Sequence, residues 1–134
     1  MKILKIAVLA LFITTVFLAC KKDHDQPISN AAIEGVYSGK FGYDNGTPDE
    51  DFKFAVKPNG IFQELSVNSG NPTGQGTYTL NGNTLKATYK MLFSPYNKYS
   101  VSGTFNPSTG KITGTWGYAD NASDGGKIDM SKQQ

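Results

Sequence analysis

The side chains best suited to recognition chemistry in this chain are amphipathic aromatics: Tyr37, Tyr43, Tyr78, Tyr89, Tyr99, Trp116 and Tyr118. Each couples an apolar ring to one hydrogen-bonding group, and a buried tyrosine hydroxyl must find a partner. Several such hydroxyls gathered in one place would suit a sugar or an aromatic ligand, so these seven are the candidate ligand-binding residues. Machinery for covalent chemistry is sparse. Cys20 is the only cysteine and His24 the only histidine, so neither a Ser-His-Asp nor a Cys-His arrangement can be built in the body of the chain. A carboxylate pair for glycoside hydrolysis would have to come from Glu34, Glu64 and the loop aspartates. Glu64 is the one to watch, mid-strand beside aromatic neighbours, although the ordinary expectation for it is an outward place on a solvated face. The reading is of a protein that is not an enzyme.

Metal chemistry has little more to draw on. The segments Asp44-Asn45-Gly46-Thr47-Pro48-Asp49-Glu50-Asp51 and Asp120-Asn121-Ala122-Ser123-Asp124-Gly125-Gly126 each collect oxygen ligands. Calcium takes six to eight oxygens, with a glycine for the turn. Asp120 and Asp124-Gly125 fit part of that plan, but Ala122 falls on a ligand position. Hairpin loops use the same residues to make turns, and that is the expected role here. His24 stands apart from other ligands and reads as a solvated residue. No metal and no cofactor are expected.

The first nineteen residues differ from everything after them. Lys2 and Lys5 precede a run from Ile6 to Ala19 that carries no charge, the plan of an export signal. Fourteen uncharged residues fall short of the roughly 20 that a spanning helix needs. Cys20 follows at once. Phe17-Leu18-Ala19-Cys20 resembles the lipobox of bacterial lipoproteins, in which a small residue precedes a cysteine that is acylated and becomes residue one. The resemblance implies a signal peptide over 1–19, lipidation (palmitate-type acylation) at Cys20 and a place in the bacterial cell envelope, outer membrane first. It covers the targeting segment alone. Residues 20–32, with Pro27, Ser29 and Asn30, read as a flexible tether beneath a domain over 33–134.

Loss of Lys2 and Lys5 with the signal leaves eleven lysines against eleven acids, so the mature chain is near neutral. It has no arginine, the residue on which bidentate recognition of phosphates and base edges most depends. Nucleic acid is therefore not an expected partner. The expected partners are the membrane, through the lipid, and a small molecule or another envelope protein.

From Ile33 onward the chain alternates with period two, with turn chemistry between the runs. Ile33 to Tyr43 make a first strand; Phe52, Phe54 and Val56 a second; Ile61, Phe62, Leu65 and Val67 a third whose facing is less regular. Gly76, Tyr78 and Leu80 lead into Asn81-Gly82, a strong hairpin signal. Leu85 to Met91, Tyr99 to Phe105, Ile112 to Tyr118 and a short run at Ile128 and Met130 complete eight. The fold expected is all-β, a single antiparallel meander closing as an up-and-down barrel, with a two-sheet sandwich as the alternative.

Gly-x-Tyr-x-Gly at Gly35–Gly39 and Gly-Thr-Trp-Gly at Gly114–Gly117 are similar to segments of small ligand-holding barrels of the avidin and lipocalin kind. That likeness implies a barrel able to hold one small ligand, and no binding residue is carried across from it. Large aromatics alternating with glycines on the inner face are first of all what packs a barrel core. The alternative is a pocket, since eight strands leave just enough room for side chains or for one small ligand. An empty, aromatic-lined interior would separate the binding module from an interaction protein with a solid core.

Overall fold

The computed structural model describes residues 31–134. The export signal over 1–19, Cys20, His24 and the tether through residue 30 lie outside the described residues. The alternating runs form eight strands: β1 (Gly35–Phe41), β2 (Glu50–Lys57), β3 (Ile61–Leu65), β4 (Pro72–Asn81), β5 (Thr84–Met91), β6 (Lys98–Asn106), β7 (Lys111–Tyr118) and β8 (Gly126–Lys132). Each pairs antiparallel with the next, and β8 returns to β1, so the sheet is a closed barrel and not a sandwich. Closure leaves no strand edge unpaired.

Register decides which residues fill the interior. Tyr37 lies opposite Phe54, Val56 opposite Phe62, Tyr78 opposite Ala87, Val101 opposite Trp116 and Ile112 opposite Met130. Directly opposed residues share a face, so these ten form one continuous apolar core. Fully burying a side chain of the Val, Leu or Phe class stabilises the fold by about 1.5–3 kcal/mol. The other register, with Lys53, Lys86, Thr88, Lys90, Thr113 and Asp129, faces outward. A membrane-spanning barrel is built the other way round, with its apolar band outside.

Two inward glycines permit the closure. A Cβ on Gly39 would lie 2.1 Å from the Asp129 carbonyl oxygen across the β1–β8 seam, and one on Gly114 would lie 2.1 Å from that of Ser102. The backbones approach there more closely than a side chain allows.

The two ends of the barrel differ. At one end the connections are short: Pro58–Gly60, Gly82-Asn83 and residues 107–110. Ile33, fully buried, seals this end, and its carbonyl oxygen accepts a 2.6 Å hydrogen bond from the Tyr37 hydroxyl. Lys132 Nζ donates to the Ala32 carbonyl oxygen at 2.9 Å, fastening the entering chain to β8. At the other end the loops are longer, over 42–49, 66–71, 92–97 and 119–125.

β3 explains its irregular facing. Its register against β4 shifts between Glu64 and Leu65, a β-bulge. Glu64 lies opposite Phe54 and Gly74, both of the inner set, so it points into the barrel. The expectation of an outward, solvated Glu64 is corrected. Leu65, on the other side of the bulge, is buried as well.

Candidate functional site

Seven aromatic rings form a closed circuit around the inside of the barrel. Phe54 meets Phe62 with ring centroids 5.0 Å apart, Phe62 meets Tyr89 at 5.4 Å, and Tyr89 meets Tyr99 at 5.7 Å. Tyr99 meets Trp116 at 6.2 Å, Trp116 meets Phe41 at 5.5 Å, Phe41 meets Phe52 at 5.7 Å, and Phe52 returns to Phe54 at 5.8 Å. These spacings fall in the range of favourable offset and edge-on ring pairs. Phe54 and Phe62 are fully buried beneath the circuit. The other five line a cavity of about 340 Å³ that opens toward the long loops. That volume lies within the range of small-molecule pockets.

Backbone geometry makes the room for these rings. A Cβ on Gly74 would lie 2.8 Å from the Tyr89 ring, and one on Gly125 would lie 2.7 Å from the Trp116 ring. Trp116 is also fixed by its indole N–H, which donates to the Gly42 carbonyl oxygen at 2.9 Å. That bond ties β7 to the loop after β1, so the ring is held as a rigid wall.

Glu64 is the one acidic side chain that the inner register brings into the cavity. Its Oε1 accepts a 3.1 Å hydrogen bond from the Thr73 hydroxyl, and its carboxylate accepts another from Tyr89. Burial pushes its pKa above the ordinary carboxylate value, and the two hydroxyl donors oppose that rise. Burial, with the Glu64 charge beside it, pushes the Tyr89 phenol strongly upward, so that hydroxyl stays protonated and keeps donating. Asp51 lies at the cavity edge, but it pairs with Lys40 at 2.7 Å on the outer face. The two carboxylates therefore do not form an acid–base pair.

The seven expected ligand-binding residues divide by depth. Tyr43, Tyr89, Tyr99 and Trp116 line the cavity. Tyr37 and Tyr78 belong to the core at the sealed end, where the Tyr37 hydroxyl is spent on Ile33. Tyr118 is exposed, packed against Trp116 and Tyr99 at the mouth. The cavity also uses Thr73, Met91 and Phe93. Period-two counting back from Gly76 reaches Gly74 and Pro72 and passes over Thr73, which stands opposite the irregular end of β3, and Phe93 sits in a loop with no periodic signal. All the exposed large apolar side chains among the described residues lie on this rim: Tyr43, Val67, Leu92, Phe93, Tyr96 and Tyr118.

The loop over Asp120–Gly125 is folded around its own turn. Asp124 Oδ1 accepts the Tyr118 N–H at 2.8 Å, Asn121 Oδ1 accepts from Ser123, and Asp120 pairs with Lys98. Its carboxylates are committed to backbone and lysine. No group of metal-ligating side chains gathers among the described residues. No family model matches this chain, and no curated protein or solved structure is significantly similar to it.

Proposed function

We propose that this chain is a lipid-anchored binding protein of the bacterial cell envelope, tethered through Cys20, that holds a small molecule in the open end of its barrel. The observation that carries the reading is the half-filled interior. The sealed end is packed solid, whereas the loop end keeps a cavity of about 340 Å³ walled by Tyr89, Tyr99 and Trp116. A core built only for stability gains dispersion contacts by filling such a space. Binding without chemistry accords with the absence of histidine and cysteine from 33–134 and with the engagement of Asp51 by Lys40.

A second reading, a docking barrel for another envelope protein, is favoured by the exposed apolar side chains on the rim. Trp116, the sole tryptophan, is a built-in reporter that separates the two. A small ligand entering the cavity changes its fluorescence saturably. Failure of sugars, aromatics and amphiphiles alike to do so sinks the pocket reading. For the anchor, metabolic labelling with a fatty acid marks the wild type and not Cys20→Ser. Equal labelling of both overturns it.

A further inference from the structure

We infer that the cavity selects an organic cation, an ammonium carried on an aromatic or short alkyl group, with the charged nitrogen received by Glu64 inside the ring circuit. The inference deepens the pocket reading and rests on it. Its first support is composition by position. Glu64 is turned inward by the register of β3, two residues beyond Phe62 and opposite Phe54 and Gly74, into a wall made largely of ring faces and edges. Both of its hydrogen-bond partners are hydroxyls, Thr73 and Tyr89, and no lysine among the described residues pairs with it. The lysines that do form ion pairs, Lys40, Lys98 and Lys111, engage Asp51, Asp120 and Asp129.

A partly buried carboxylate without a counter-charge is costly, and a cationic ligand would supply the missing partner. The surrounding rings add to this. A cation within about 6 Å of a tryptophan or tyrosine ring centre is attracted to its face, and more strongly where water is excluded. Tyr89 donates to Glu64, Tyr99 stands next to Tyr89, and Trp116 continues the wall of the same cavity beyond Tyr99. A carboxylate ligand would meet repulsion at the same place.

The mouth carries the same preference outward. Its four loops, over 42–49, 66–71, 92–97 and 119–125, hold Asp44, Asp49, Asp120 and Asp124 and no lysine, arginine or histidine of their own. Asp120 is paired with Lys98 of β6 and Asp124 with the Tyr118 N–H, so Asp44 and Asp49 carry the preference. Phe93 and Tyr43 provide apolar surface at the entrance for the uncharged part of the ligand.

Three probes of nearly equal shape test the inference: 2-phenylethylammonium, 2-phenylethanol and phenylacetate, each titrated against Trp116 fluorescence in the wild type and in Glu64→Gln. In the wild type the ammonium binds about ten-fold tighter than the alcohol, and phenylacetate binds weakest. Glu64→Gln brings the ammonium down to the level of the alcohol and leaves the alcohol unchanged. The groups facing Glu64 are Tyr89 and Thr73, with Tyr99 and Tyr43 farther around the wall and Asp51 held by Lys40. With Asp51 held by Lys40, Glu64 is the carboxylate whose protonation removes the charge that faces the ligand. Falling pH therefore weakens the ammonium and not the alcohol.

Removing a carboxylate that folding has to desolvate raises the melting temperature of Glu64→Gln at neutral pH, so lost binding is not lost folding. Equal affinity for ammonium and alcohol in the wild type, or an ammonium preference that survives in Glu64→Gln, overturns the inference and leaves the pocket standing. Silence of all three probes at millimolar concentration overturns the inference, and silence of sugars and amphiphiles besides overturns the pocket as well.

Discussion

Tyr37 and Glu64 show how one residue's surroundings separate structural from functional roles. Both face inward, yet the Tyr37 hydroxyl is consumed by the Ile33 carbonyl, whereas the Glu64 carboxylate faces free space. Tyr37→Phe should cost about 1 kcal/mol, the usual net worth of such a hydrogen bond, and loosen the sealed end where Ile33 sits. Burial also pushes the Tyr37 phenol from its ordinary value near 10 up to about 12. The unfolded chain then gives up this proton first as pH rises. Its contribution to stability is present below pH 10 and lost between 10 and 12. Urea midpoints across that alkaline window should fall less steeply in Tyr37→Phe than in the wild type. Parallel slopes would remove Tyr37 from the alkaline transition. Tyr37's inward direction was legible from alternation, and so was a buried Ile33, but not their hydrogen bond, because the structure puts Ile33 in a turn ahead of β1 and not in the strand.

At the scale of elements, seven of the strands kept the alternation that the residue types suggest, and β3 departed from it. Phe62 and Leu65 are both buried but lie three apart, a spacing that no regular strand can bury on one face. The bulge reconciles them by bringing Leu65 to the cavity side, beyond Glu64, which regular alternation from Phe62 already places inward. A bulge inserts a residue without changing composition, so the sequence pattern shows a disturbed period but not its resolution. The inward glycines were legible as small residues but not as seams, since close approach depends on the neighbouring strand. Gly39→Ala puts a methyl 2.1 Å from the Asp129 carbonyl on the partner strand. It should cost at least about 2 kcal/mol by chemical denaturation, with Ser102→Ala on the outer face within about 0.5 kcal/mol of wild type. Equal, small losses for the two would show that the β1–β8 seam can relax around a side chain.

The whole molecule has a direction. The described chain enters at the sealed end, held by Lys132 to Ala32 and by Tyr37 to Ile33, while the cavity and every exposed large apolar side chain described lie at the opposite end. Strands of five to ten residues, tilted as barrel strands are, separate the two ends by roughly 20 Å. If Cys20 carries the anchor, the lipid pulls on the sealed end and the mouth is presented away from the bilayer. On that orientation the rim's Phe93, Leu92 and Tyr96 would stand away from the bilayer. Trp116 reports the direction. With the acylated protein on vesicles, acrylamide in the water should quench Trp116 as strongly as it does in the unlipidated domain, and brominated acyl chains should leave it unaffected. Strong quenching by the brominated lipid would mean that the mouth lies against the bilayer. The exposed rim would then be a membrane-contacting surface, and the ligand would have to come from the lipid phase.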